Sequence, residues 1–151
     1  MSRVNSELPE DIAEQLQGQT IVILNVVARE SGDIYSTSLS WAYAVSRKAI
    51  RFAIDAKSDV VGMIKEDPRV VLTFASGESV YAVKGAGVVK IDKTEGLTLK
   101  MALIEVSVQE VRDIMFYGGK IMTPLAFVKT YNAELVRKLD DEMKQALISL
   151  S

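Results

Sequence analysis

From Thr20 to Ile114 the apolar positions come in short runs or alternate with polar ones, which is the spacing of β-strands. Thr20 to Ala28 is an apolar, β-branched run that predicts a buried strand, and Arg29 to Asp33 is the turn after it. A second strand is predicted from Tyr35 to Ser46, with two unlike faces. Tyr35, Thr37, Leu39, Trp41, Tyr43 and Val45 form a bulky face suited to a core. Ser36, Ser38, Ser40, Ala42, Ala44 and Ser46 form a face trimmed to hydroxyls and methyls. Ser46-Arg47-Lys48 then turns the chain back into Ala49–Ile54, an antiparallel hairpin.

A short helix interrupts the strands. Ser58 is its cap, Asp59 lies in its first turn, and Val60, Val61 and Ile64 form its apolar side until Pro68 stops it. Two strands follow, Arg69–Ser76 and Ser79–Ile91, joined at Gly77-Glu78. After a turn at Asp92–Gly96, the run Leu97 to Ile114 alternates Ile104, Val106 and Val108 against Glu105, Ser107 and Gln109, a strand at least in its middle. Phe116 to Lys120 reads as a tight turn or bulge.

Helical spacing governs both ends. Pro9 suits a first helical position, Glu10 and Asp11 suit the positive dipole end, Ile12, Ala13 and Leu16 share a face, and Gly18 ends the helix. Asn132 caps a final helix striped by Leu135, Val136, Leu139, Met143, Leu147 and Leu150. The pattern predicts one domain over 1–151, with a helix at about 9–17, a barrel at about 19–128 and a helix at about 132–150. Its class is mainly β, an antiparallel β-barrel of about five or six long strands with peripheral helices.

Composition narrows the chemistry. The chain has no cysteine and no histidine, so disulfides, thiolate nucleophiles, Ser-His-Asp triads and imidazole-based metal sites are excluded. Chemistry must come from carboxylates, Lys, Tyr, Ser or a bound cofactor, which brings its own reactive atoms. A net charge of −2 gives no electrostatic reason for a nucleic acid or an anionic membrane as partner. No apolar run approaches the roughly 20 residues needed to span a bilayer. The start of the chain lacks the apolar core of a signal peptide, so a cytoplasmic location is expected.

Few motifs point to a site. Gly85-Ala86-Gly87 lies inside a strand, opens no helix and lacks a third glycine, so it marks a bend or a close backbone approach rather than a dinucleotide fold. Lys57-Ser58-Asp59 begins a helix, where free N–H groups, a lysine and a hydroxyl suit a phosphate, or where Ser58 is an ordinary cap. The trimmed face admits a flat body, either a ligand or a second subunit. Asp140, Asp141 and Glu105 read as solvated carboxylates, and Tyr117 beside Gly118-Gly119 is either a loop anchor or a rim residue.

Taken in order, these features resemble the pyridoxamine 5′-phosphate oxidase-like, FMN-binding split-barrel family over roughly residues 19 to 110. The matching succession is Ser38-Leu39-Ser40-Trp41, Phe52-Ala53-Ile54, Ser58 and Asp67-Pro68-Arg69-Val70-Val71-Leu72, followed by Val83-Lys84-Gly85-Ala86-Gly87-Val88-Val89. The resemblance implies an antiparallel split barrel that forms a homodimer, with FMN in grooves between the subunits. Ser38, Leu39 and Ser40 would line the flavin edge, Ala53, Ile54 and Asp55 would border its ring, and Lys57 with Ser58 would hold its phosphate. Tyr117 or Phe116 would reach in from the partner. Three positions depart from the family pattern: Ile54 stands where Thr is usual, Val60 where Lys is usual, and Met63 where Asn is usual. The implied activity is a flavin-dependent oxidoreductase on a small substrate. The alternatives are a non-catalytic sensor or stress protein that binds flavin or another small ligand, and a ligand-free structural dimer. The substrate-phosphate residues of a true pyridoxamine phosphate oxidase are not found, and no general acid or base stands out.

Overall fold

The computed structural model describes residues 4–123 and 125–150. The ends of the expected domain, residues 1–3 and 151, and position 124 of the expected barrel lie outside them. The elements in chain order are β1 (Val4–Asn5), α1 (Glu10–Gln15), β2 (Val22–Val27), β3 (Ile34–Leu39), β4 (Ala42–Ser46), β5 (Ala49–Asp55), α2 (Asp59–Glu66), β6 (Arg69–Ser76), β7 (Ser79–Ile91), β8 (Met101–Asp113) and α3 (Ala133–Ile148). The strands form one antiparallel sheet in the order β3-β2-β6-β7-β8-β5-β4, with the short β1 added to β8.

Alternation along the strands divides the apolar residues between two layers. Ala42, Ala44, Ile50, Phe52, Ile54, Ala102, Ile104 and Val106 point into the main core with β2 and β6 residues, closed at its ends by α1 and α2. The residues between them, Tyr43, Ala53, Met101 and Leu103, face outward and are covered by Met143 and Leu147 of α3. Met101-Ala102-Leu103-Ile104 is therefore buried on both faces. Among the described residues no helix is long and apolar enough to cross a membrane.

One predicted strand is two. The run Tyr35–Ser46 breaks at Ser40-Trp41, where the N–H of Ala42 donates to the carbonyl of Ser40 at 2.9 Å. Its first half pairs with β2 and its second half with β5, so consecutive residues occupy opposite edges of the sheet. The two-faced reading fails with it: Tyr35 is 46% exposed, while Ala42 and Ala44 of the trimmed face lie in the main core. The outer edge of β4 is met by residues 16–18, through Ala44 N–H to Leu16 O and Gly18 N–H to Ala42 O. Gly18 has φ +86, and a side chain there would collide with the Tyr43 phenol.

Smaller differences have local causes. The loop after β7 extends to Lys100, because the buried Thr94 hydroxyl donates to Leu99 O and accepts from Met101 N–H, closing the turn. Pro9 is the cap residue of α1 rather than its first helical residue. Glu105 is no solvated carboxylate: it pairs with Arg51 across β5 and β8 at 2.9 Å, and Arg51 also donates to Leu147 O at the end of α3. Asp140 accepts from the Trp41 indole. Only Asp141 of the three is exposed as expected. The glycines of β7 behave as the pattern suggests. Gly85 sits at a register shift where β8 passes close, and α2 packs over Gly87 through Ile64.

Candidate functional site

β5 leads out of the core into a turn that prepares α2. The N–H of Ala53 donates to Trp41 O at 3.1 Å, which holds the Ser40-Trp41 bend against the end of β5. The Asp55 carboxylate accepts from Lys57 N–H at 2.9 Å, and the Asp55 carbonyl accepts from Ser58 N–H at 2.9 Å. The Ser58 hydroxyl then accepts from Val60 N–H at 3.2 Å, and the Ser58 carbonyl accepts from Val61 N–H. Four amides at the start of α2 are thus bonded within the turn itself. Fewer N–H groups are therefore open to a phosphate at this helix end than the bare start of a helix would offer, and the side chains of Lys57 and Ser58 stand beside them.

Those side chains are present. A cleft of about 640 Å³ opens between the start of α2 and the β7–β8 connection. Lys57, Ser58 and Lys65 line it from the α2 side, and Asp92, Lys93 and Lys100 from the β7–β8 connection. The Lys65 ammonium is paired with Asp92. No side-chain hydrogen bond or acidic partner within salt-bridge distance holds Lys57, Lys93 or Lys100 among the described residues. Four lysines against Asp55 and Asp92 give the lining a formal charge of +2, on a chain whose net charge is −2.

The residues expected at a site fall into three groups. Ser40, Ala53, Ile54, Asp55, Lys57 and Ser58 form one continuous stretch from the bend to the cleft. Ser38 and Leu39 lie on the adjoining β3, opposite Ile23 and Val22; Ser38 is exposed and Leu39 packs against the main core. Tyr117 lies in the connection between β8 and α3, fully exposed, and joins neither the bend nor the cleft. Ile54 and Val60 are each 8% exposed and belong to the main core, and Met63 packs against it. Packing therefore explains why these three positions are apolar.

Lys65, Lys93 and Lys100 escape a reading of the sequence. Lys65 follows Ser58 by seven residues, two helical turns, and so shares its helix face. Lys93 and Lys100 carry no such signal, because only the sheet order brings their loop beside α2.

Three solved structures share this architecture. HupZ of Group A Streptococcus matches with a TM-score of 0.60 and 11% identity, over 77% of this chain and 100% of that one. A candidate pyridoxamine 5′-phosphate oxidase from Lactobacillus delbrueckii gives 0.58 and 13%, over 71% and 94%. An F420 reductase gives 0.54 and 16%, over 69% and 98%. No protein-family model matches the chain, and no curated protein matches it in sequence. The likeness establishes the fold: an antiparallel split barrel of the kind found in pyridoxamine 5′-phosphate oxidase-like proteins.

Proposed function

We propose that this protein binds a flavin nucleotide, FMN as the minimal one, and acts as a flavin-dependent oxidoreductase on a small substrate. The observation that carries this reading is the cleft beside α2, where three lysines without acidic partners face an opening at the end of β5. Lys57 and the Ser58 hydroxyl, which accepts from Val60 and still has a proton to donate, suit a phosphate. The Ser38-Leu39-Ser40 bend and the Ala53-Ile54-Asp55 end of β5 would hold the flat ring. With Ile54, Val60 and Met63 in or against the core, backbone groups and the serine hydroxyls would be left to bond its polar edge. When bound, a flavin supplies two-electron hydride exchange through its own ring, which suits a chain without histidine or cysteine. The protein's work is then to hold the phosphate, orient the ring and shield it from water. An F420 reductase and a candidate pyridoxamine 5′-phosphate oxidase among the structural neighbours support the reaction class.

The same reading includes a homodimer with the ligand between subunits. It is supported by β3, an edge strand bearing Ile34 at 72% and Tyr35 at 46% exposure. Phe116 or Tyr117 would then approach the partner's ring. Sedimentation that finds a monomer at micromolar concentration removes this part of the proposal.

A second reading, a ligand-free dimer, is favoured by Ile54, Val60 and Met63, whose packing in or against the main core leaves the family's usual polar contacts unmade; a non-catalytic protein that binds flavin or another small ligand is the remaining alternative. An absorbance spectrum with and without added FMN separates the holoprotein from the ligand-free dimer. Anaerobic reduction by NADH or NADPH, followed by reoxidation with candidate acceptors, separates enzyme from carrier. Absence of any FMN binding rejects the main reading.

A further inference from the structure

We infer that the cleft beside α2 takes a diphosphate, so that the flavin nucleotide it favours is FAD rather than FMN. The flavin part rests on the reading above; the diphosphate part rests on the cleft alone. A single phosphate engaged by Lys57 and Ser58 leaves Lys93 and Lys100, which form no ion pair among the described residues, in a lining that still carries excess positive charge. Those two lysines immediately precede Thr94 and Met101, whose backbones are bonded by Thr94 N–H to Met101 O at 2.8 Å. The buried Thr94 hydroxyl fastens the same loop. The backbones that carry the two lysines are thus held side by side, and an anion in the cleft would meet both charges.

The elements that line the cleft are also tied together. Ala56 N–H donates to Lys100 O at 3.2 Å, and the Lys65–Asp92 pair bridges α2 to the far loop. The backbone positions from which the lysines project are therefore set by the fold. A volume of about 640 Å³ has room for a diphosphate, within the range of about 300 to 1,000 Å³ for small-molecule sites. With four of the turn's amides already bonded, ammonium groups carry the charge for anion recognition, and a second phosphate is what engages the remaining two.

Calorimetry with inorganic pyrophosphate and orthophosphate, and with FAD and FMN, tests this on wild type and on Lys93→Ala/Lys100→Ala. Wild type should bind pyrophosphate at least about tenfold more tightly than orthophosphate, and FAD more tightly than FMN. The double variant should lose both preferences while its orthophosphate affinity stays within about threefold. Lys84→Ala/Lys90→Ala, two exposed lysines of β7, should keep them. A pyrophosphate preference that is absent, survives in the cleft variant, or vanishes equally in the β7 variant overturns the inference. FMN binding without any pyrophosphate preference leaves the flavin reading intact and rejects the diphosphate. A pyrophosphate preference lost in the cleft variant, with no flavin bound, keeps the diphosphate and rejects the flavin.

Discussion

The indole N–H of Trp41 donates to the Asp140 carboxylate at 2.7 Å, joining residues 99 positions apart. The same carboxylate oxygen accepts from the Lys129 ammonium at 2.5 Å, and that ammonium lies 4.5 Å from the centre of the Trp41 ring. Three segments therefore meet on one carboxylate: the bend beside the candidate site, the connection before α3, and α3 itself. Burial, helped by the charges of Asp140 and Asp141, also raises the pKa of the Tyr43 phenol above its ordinary value of 10.0.

Asp140→Ala removes the acceptor for both donors and leaves a half-buried indole N–H unpaired. A loss of about 2 kcal/mol is expected, as for hydrogen bonds to charged groups. Trp41 is the chain's single tryptophan, so its emission should shift in step with the lower denaturant midpoint. An unchanged midpoint and spectrum would show that the three segments are held by apolar packing alone.

Gly85→Ala should cost about 1–3 kcal/mol, as for an overpacked interior site. The added methyl would press into the Ser107 carbonyl and a Val106 methyl at the register shift between β7 and β8. A backbone carbonyl in a sheet cannot swing aside as a side chain can. A thermal midpoint equal to wild type would mean that the bulge relaxes freely.

Asp67 should make stability depend on acid. Its side-chain bond to the Arg69 guanidinium, then the Arg69 backbone N–H, hold its pKa at about 2, against an ordinary 3.8. A depressed carboxylate contributes stability that is present above its unfolded value and is lost as pH falls through its folded value. The loss therefore falls between about pH 4 and pH 2. Asp67→Asn should be less stable than wild type at neutral pH and converge with it near pH 2; parallel denaturation curves across that range would rule out this contribution.

Lys57→Ala should weaken FMN binding by about ten- to a hundredfold, the value of a charge-assisted contact to an anion. Four of the nearby amides are bonded within the turn, which limits what the backbone contributes in its place. Riboflavin, which lacks the phosphate, should bind wild type and variant alike. Equal FMN affinity in fluorescence titrations of both proteins would mean that the phosphate lies elsewhere.

Local chemistry made much of this protein legible in its sequence. β6 and β7 carry the bounds their apolar runs and the Gly77 turn predict, and Asn132 caps α3 with its side chain accepting from Leu135 N–H at 2.9 Å. Ser58 caps α2 in the same way. Each of these depends on residues within a few positions of one another, so composition and periodicity suffice. The order of the features also pointed to the split barrel that the solved structures share.

The tertiary structure decided what depends on pairing partners. Tyr35 to Ser46 alternates like one strand, yet its halves belong to opposite sheet edges, because ladder hydrogen bonds and not periodicity determine where a strand ends. Asp140 and Glu105 have the sequence surroundings of solvated carboxylates and are nonetheless paired, since their partners Trp41 and Arg51 arrive from distant strands. The candidate site divides in the same way. Lys57 and Ser58 were visible at a helix start, whereas Lys93 and Lys100 join them only because the β7–β8 connection lies beside α2. Charge in a linear sequence shows its sign but not its neighbours, and the fold supplies the neighbours.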